Sequence, residues 1–255
     1  KAAREKYTGH IWIRQSEING NGFKYFKDKN VISLSLLNSP VNDNGLREIS
    51  KLKTLRRLRF HYDNSITDGG LKEIKNLKFL DTLGLTCEKV TDEGMNIILE
   101  LKNLKELNLI KMPQITDRSL DKILKVHTLV NLNLRGTSIT AQSFKRLKAL
   151  KHLRYLNLSD LKVQDKDLKI LADLNLNMLV LNGNKEITNQ GISYLRKNKN
   201  LKILHIGRCP KVNQKTLNLP GCEISQEETD KSISPTNTSQ YQNEYERMIE
   251  HAMGF

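Results

Sequence analysis

Hydrophobic residues along this chain fall into a frame that restarts about every 24 residues, a period within the range of short tandem structural repeats. One copy reads Leu55-x-x-Leu58-x-Phe60, then Ile66-Thr67-Asp68, then Leu71-x-x-Ile74-x-x-Leu77. The frame restarts at Leu80 with Leu83, Leu85, Val90-Thr91-Asp92, Met95, Ile98 and Leu101. It restarts again at Leu104 with Leu107, Leu109, Ile115-Thr116-Asp117, Leu120 and Ile123. Further copies begin at Leu129, Leu153, Leu176 and Leu201, one precedes them at Val31, and a weaker one surrounds Ile11, Ile13, Ile18, Phe23 and Phe26. That makes about nine units.

Each half of the unit predicts its own element. Leu-x-Leu alternates with period two, which places the leucines on one face of a short strand and the intervening residue on the other. Leu-x-x-Ile-x-x-Leu follows helical spacing and predicts a helix that buries this stripe behind the strand. Thr67, Thr91 and Thr116 sit where a helix N-cap is expected, with Asp68, Asp92 and Asp117 in the first turn. A single unit cannot bury both stripes, so the units are expected to stack. The fold expected is an α/β solenoid of about nine repeats, with parallel strands on a concave side and helices on a convex side.

The phrase Ile66-Thr67-Asp68-Gly69-Gly70-Leu71 returns as Val90-Thr91-Asp92-Glu93-Gly94-Met95 and as Ile187-Thr188-Asn189-Gln190-Gly191-Ile192. It resembles the cysteine-containing class of leucine-rich repeats found in F-box proteins and their AMN1-like relatives. That class places cysteine three residues after the second strand leucine. Only Cys209, after Ile206, occupies this slot, and Asn184 takes it one repeat earlier. The resemblance covers roughly residues 8–219 and implies a substrate-recognition or adaptor part of a ubiquitin ligase. Residues 1–7 are then read as a helical remnant of a preceding module or as a cap, 220–240 as a flexible linker, and 241–255 as a separate helix.

Strand residues facing away from the leucines define the expected binding surface. The candidates are Trp12, Arg14, Arg57, Arg59 and His61 toward the N-terminal end, because Trp and Arg are enriched at binding hot spots. Asn108, Ile110, Asn133, Arg135, Tyr155 and Asn157 follow; amides supply both donor and acceptor and can read a partner's backbone. Near the C-terminus Tyr241, Tyr245, Met248 and Ile249 recur at helical spacing among Glu244, Glu246 and Glu250. They predict an acidic amphipathic helix that either caps the repeats or recruits a partner.

Composition adds a charge asymmetry. Lys+Arg 42 against Asp+Glu 28 gives +14. Residues 221–255 hold Lys231 and Arg247 against seven acidic side chains, so the preceding residues carry +19. Much of that excess falls on the predicted helices, as at Lys72, Lys75, Lys145 and Lys148. It leaves contact with an acidic protein or nucleic acid open beside a simple solvated surface. Aromatic content of 5% offers few rings for base stacking.

No phosphate-loop, dinucleotide or metal-spacing motif occurs, so a non-catalytic protein-binding module without cofactor is expected. The alternatives are a GTPase-activating protein using an exposed arginine such as Arg14 or Arg59, or a basic scaffold in an RNA-rich or mitochondrial complex. No apolar run reaches the roughly 18 residues of a membrane span. Three cysteines are too few for a disulfide framework. A cytoplasmic setting is expected, with nuclear or mitochondrial ones as alternatives, the chain acting as a monomer or as a subunit of a larger complex.

Overall fold

The computed structural model describes residues 9–14, 20–26, 28–62 and 65–226. Segment 1–7, most of the linker, and Tyr241, Tyr245, Met248 and Ile249 lie outside the described residues. Two compact units divide the chain, one through Thr128 and one from Leu129.

In the first unit each Leu-x-Leu phrase forms a strand: β1 (His10–Arg14), β2 (Ser33–Leu37), β3 (Arg57–His61), β4 (Thr82–Leu85) and β5 (Glu106–Leu109). They pair in parallel and in chain order, so that Ile11, Leu34, Leu58, Leu83 and Leu107 stand side by side. The second unit repeats the arrangement with β6 (Asn131–Asn133), β7 (Tyr155–Asn157), β8 (Met178–Val180), β9 (Ile203–His205) and β10 (Glu223–Ser225). There Leu132, Leu156, Leu179, Leu204 and Ile224 form the row. The leucines of both rows are fully buried. The chain is thus a leucine-rich-repeat solenoid. Its strand ladder continues to Ser225, into the stretch 220–240 expected to be linker, because Glu223 N–H and Ile206 N–H exchange bonds between β10 and the preceding repeat.

The return segments are shorter and tighter than one regular helix each. α1 (Asp43–Ile49), α2 (Asp68–Leu71), α3 (Asp117–Ile123), α4 (Asp165–Leu171) and α5 (Asn189–Tyr194) are α-helical. Gly94–Glu100 and Ala141–Ala149 are 3-10 helices, and Lys72–Asn76 continues α2 in that form. A stripe spaced strictly by three, as Met95, Ile98 and Leu101, lines up on a helix of three residues per turn. After most strands the chain turns at the residue two positions beyond the second inward side chain, though not at Cys87 after β4. At Asn38, Tyr62, Lys111, Asp160 and Arg208, and at Gly136 and Gly183, φ is positive.

The Thr-Asp phrase does more than cap a helix. Thr67 Oγ1 accepts from Gly69 N–H at 3.2 Å, the expected N-cap bond, and donates to Asp43 Oδ2 of the preceding repeat at 2.7 Å. Thr67 N–H donates to Asp43 Oδ1 at 2.8 Å. Asp68 receives the same pair from Thr91, and Asp92 from Thr116. In the second unit Asp165 receives it from Thr188. Each aspartate therefore fastens its own repeat to the next one, a role that local capping rules do not reveal.

This carboxylate also explains the glycine of the phrase. A Cβ on Gly70, Gly94 or Gly191 would come 2.1, 2.2 and 2.1 Å from Oδ1 of Asp43, Asp68 and Asp165 respectively. Where the phrase has Ser119 instead, the serine hydroxyl and N–H both donate to Asp92 Oδ1. We expect Gly94→Ala to cost about 1–3 kcal/mol by overpacking. Gly94→Ser should cost about 1 kcal/mol less, because its hydroxyl can bond Asp68. Urea unfolding of the two variants compares them directly; equal losses would contradict the role given to the carboxylate.

Burial works to raise the Asp92 carboxyl, but hydrogen bonds from Ser119 and Thr116 outweigh it and hold the group below its usual value of 3.8. The folded state thus binds this proton less readily than the unfolded chain. Its stabilisation is complete above the unfolded value and is lost as pH falls further. A Ser119→Ala chain should show a smaller acid-dependent loss below about pH 4.

Candidate functional site

Residues between the inward leucines project from the opposite strand face. In the first unit that face is organised around one ion pair. Arg59 leaves β3 and runs across β4 to Glu106 on β5, with Nη2 3.3 Å from Oε1 and 3.5 Å from Oε2. Gly84 makes this path possible: it pairs with Arg59, and a Cβ there would come 3.1 Å from Arg59 Cγ. Glu106 Oε1 also accepts from Asn108 Nδ2 at 2.6 Å. The side chains of Arg59 and Glu106 are only 10% and 13% exposed. Among the candidates, then, Arg59 is engaged within the chain, whereas Arg57 is open to solvent.

His61 is half-buried one alternation along β3 from Arg59. Loss of hydration, and secondarily the Arg59 charge, lower its pKa from 6.5 to about 4. The folded form therefore keeps the ring neutral over a range in which the unfolded chain takes up a proton. Stability linked to His61 is fully present above pH 6.5 and is lost as pH falls to about 4. After allowance for partial exposure this amounts to about 1–2 kcal/mol. A His61→Gln chain should have a flatter stability profile across that window in urea titrations.

Trp12 pairs with Ser35 on the neighbouring strand and is 40% exposed. Arg14 closes β1, its side chain outside the described residues, and Ile110 follows β5 half-buried.

The second unit differs in character. Its asparagines serve their own backbone: Asn133 Oδ1 accepts from Arg135 N–H at 3.0 Å, and Asn157 Oδ1 from Ser159 N–H at 2.9 Å. Asn182 Oδ1 accepts from Gly207 N–H on the next repeat at 2.7 Å. These amides fasten strand ends, and Asn157 Nδ2 adds a 3.4 Å bond to the Tyr155 hydroxyl. Arg135 meets Asp160 Oδ2 through Nε at 3.0 Å, and Arg208 meets Oδ1 through Nη2 at 3.1 Å. Two guanidinium groups thus share one carboxylate at the exit of the strands.

Between these polar groups lies an apolar floor. Tyr155, Met178 and Ile203 stand side by side in register, and Asn157, Val180 and His205 form the adjoining row. Alternation with Leu179, Leu181 and Leu204 already places Met178, Val180 and Ile203 on the outward face, although they are not among the candidate binding residues. Glu106 carried a usable signal, an acidic residue opening a strand on the outward side, as Glu223 does in β10.

The helix-side lysines are partly committed. Lys148 and Lys197 both reach Asp173, at 2.7 and 2.5 Å, and their hydrogen bonds pull its carboxyl down to about 2. Lys72, Lys75 and Lys145 are exposed. No group of three metal-ligating side chains occurs among the described residues. No helix among them is long and apolar enough to cross a membrane.

No family model matches the chain, and no curated protein matches it. Solved structures do. An internalin C2 from Listeria monocytogenes is 26% identical over 79% of this chain and 83% of its own, with a TM-score of 0.56. A leucine-rich-repeat protein from Leptospira interrogans is 27% identical over 75% of this chain, with a TM-score of 0.49. An internalin of Listeria monocytogenes, inlF, is 22% identical over 71%, with a TM-score of 0.48. This chain spans 54% and 58% of the last two.

Proposed function

We propose that the chain is a non-catalytic protein-binding module whose recognition surface is the strand face opposite the helices. The observation that carries this reading is the apolar floor of the second unit. Tyr155, Met178, Val180 and Ile203 stand together on the strand face opposite the helices, closely packed and 7% exposed or less, where the outward positions of the first unit are mostly polar. Arg135, Arg208 and Asp160 give it a charged margin, the arrangement of an apolar centre with a polar rim common at interfaces. The likeness to internalin C2, a structure of the same repeat architecture, supports the same reading.

Substrate recognition for a ubiquitin ligase is a narrower form of the proposal. Its support is the Ile-Thr-Asp-x-Gly-Leu phrase alone. The carboxylate and glycine of that phrase have a structural role here, so the phrase speaks for repeat stacking more than for a ligase. The arginine-based GTPase-activating alternative loses Arg59 as its candidate, because that guanidinium is held by Glu106. A reducing, cytoplasmic setting belongs to the proposal through a cysteine count too small for a disulfide framework.

The test is comparative capture in cells expressing the protein. Val180→Lys should abolish a crosslinked partner that the unaltered chain retains, while Lys148→Ala on the helix side keeps it. Equal loss with both, at equal folded protein, would overturn the assignment.

A further inference from the structure

The first unit has one edge where the chain enters its strands and one where it leaves them, and the two differ in charge. The turns 53–56, 78–81 and 102–105 lead into β3, β4 and β5. They hold Lys53, Arg56, Lys78, Lys102 and Lys105, all exposed, against half-buried Asp81, with exposed Glu100 just before the last turn. The described turns that leave β2, β4 and β5, residues 38–42, 86–90 and 110–115, hold Lys89 and Lys111 against Glu88. Asp81 N–H donates to the Arg56 carbonyl and Lys105 N–H to the Asp81 carbonyl, both at 2.8 Å. Equivalent entry positions therefore stack at strand spacing, about 4.8 Å, and form a strip. Lys53 and Lys102 donate to the carbonyls of Ser50 and Leu99, neutral acceptors that leave the ammonium charges uncancelled.

Phe79 stands in the middle of this strip and is 56% exposed. Its equivalents in the neighbouring repeats are polar and fasten the stack. Thr54 Oγ1 donates to the Val31 carbonyl, Asn103 Nδ2 to that of Lys78, and Thr128 Oγ1 to that of Leu104. Phe79 gives up this bond and buries little in exchange. No ring or cation packs on it among the described residues. A position that breaks the rule of its own repeat without a structural gain points to function.

We propose that this edge of the first unit binds single-stranded nucleic acid, with phosphates along the basic strip and one base stacked on the Phe79 ring. A row of cations beside an open aromatic face is the pairing that tracks a single strand. A duplex keeps its base faces stacked inside and offers none to the ring. An acidic protein surface fits less well, because a protein interface has an apolar centre of several residues. Here the ring is alone: Trp12 and Tyr25, the other exposed large hydrophobics among the described residues, belong to the repeat of β1, three strands from β4. This edge is separate from the strand face of the second unit, so the two readings can fail independently.

The test titrates the full chain into a fluorescein-labelled single-stranded oligothymidine and follows anisotropy. At about 0.15 M salt, charges more than ~8 Å apart are largely screened, so the two edges are read separately. Phe79→Leu keeps an apolar side chain but removes the ring. It should weaken binding at least about fivefold, while Phe79→Tyr holds it within about twofold. Lys78→Glu with Lys105→Glu should weaken it at least about tenfold, and Lys89→Glu with Lys111→Glu less than about twofold. Equal loss from both charge pairs, or unchanged affinity in Phe79→Leu, would overturn the proposal. So would tighter binding of a labelled oligoglutamate peptide, which would assign the edge to an acidic protein segment. A measurement on the unaltered chain guards against a misfolded variant. Photocrosslinking to an oligothymidine carrying 4-thiothymidine should mark the peptide that contains Phe79, and a crosslink confined to other peptides would also overturn the proposal.

Discussion

Arg59→Ala should destabilise the first unit by about 3 kcal/mol, far more than removal of an exposed arginine. The deletion leaves Glu106 nearly buried with Asn108 as its remaining named partner. A carboxylate in that position either stays charged at high cost or takes up a proton. Glu106→Gln alone should also be costly, since it takes the carboxylate charge from beside the nearly buried Arg59 guanidinium. The double variant should recover much of the loss, because neither charge is then left alone. Denaturant unfolding of the four chains gives the coupling, expected at 1.5 kcal/mol or more in rough terms. Additive losses would mean that the pair contributes nothing specific. A second readout separates the pair from simple packing: without the Arg59 charge, the depressed pKa of His61 should rise toward 6.5.

Arg59 also marks the limit of what the sequence makes legible. Its place on the outward strand face follows from alternation with Leu58 and Phe60, and the structure has it there. That it lies flat across Gly84 and ends on Glu106 requires the register of three strands, which no local pattern contains. The same holds for Asp43, Asp68 and Asp92. A threonine before a helix reads as a cap from one sequence window. Its second bond joins residues 23 or 24 apart, and only the stacked repeats bring them together. The glycine beside it is then explained by an atom from the preceding repeat.

The repeat itself was plain, because buried leucines recur at a fixed period and strict alternation leaves one strand orientation. The form of the return segment was less so. Spacing by three suits both a short α-helix and a 3-10 helix, and tertiary packing selects between them repeat by repeat. The floor was obscured for the opposite reason. Alternation places Met178, Val180 and Ile203 outward, but hydrophobic side chains among so many strand leucines do not stand out as binding candidates. Their partners in register identify the face.

Leu107→Ala should cost about 2–5 kcal/mol, the range for deleting a fully buried leucine. Leu107 is central to the first unit, beside Leu83 and 0% exposed. Removing its branched end opens a cavity that rigid neighbours fill only in part. The distribution of the damage is the sharper test. Each repeat contacts mainly its neighbours, so the loss should centre on β4, β5 and the return segments around them. Hydrogen exchange should accelerate most at Leu83, Leu85 and Leu109, whose amides belong to that stretch of the ladder. β8 and β9 of the second unit should change little under mildly destabilising conditions, when unfolding remains local. Acceleration of equal size at Leu179 and Leu204 would show that the two units unfold as one cooperative body. The nearest-neighbour account of this repeat would then be wrong.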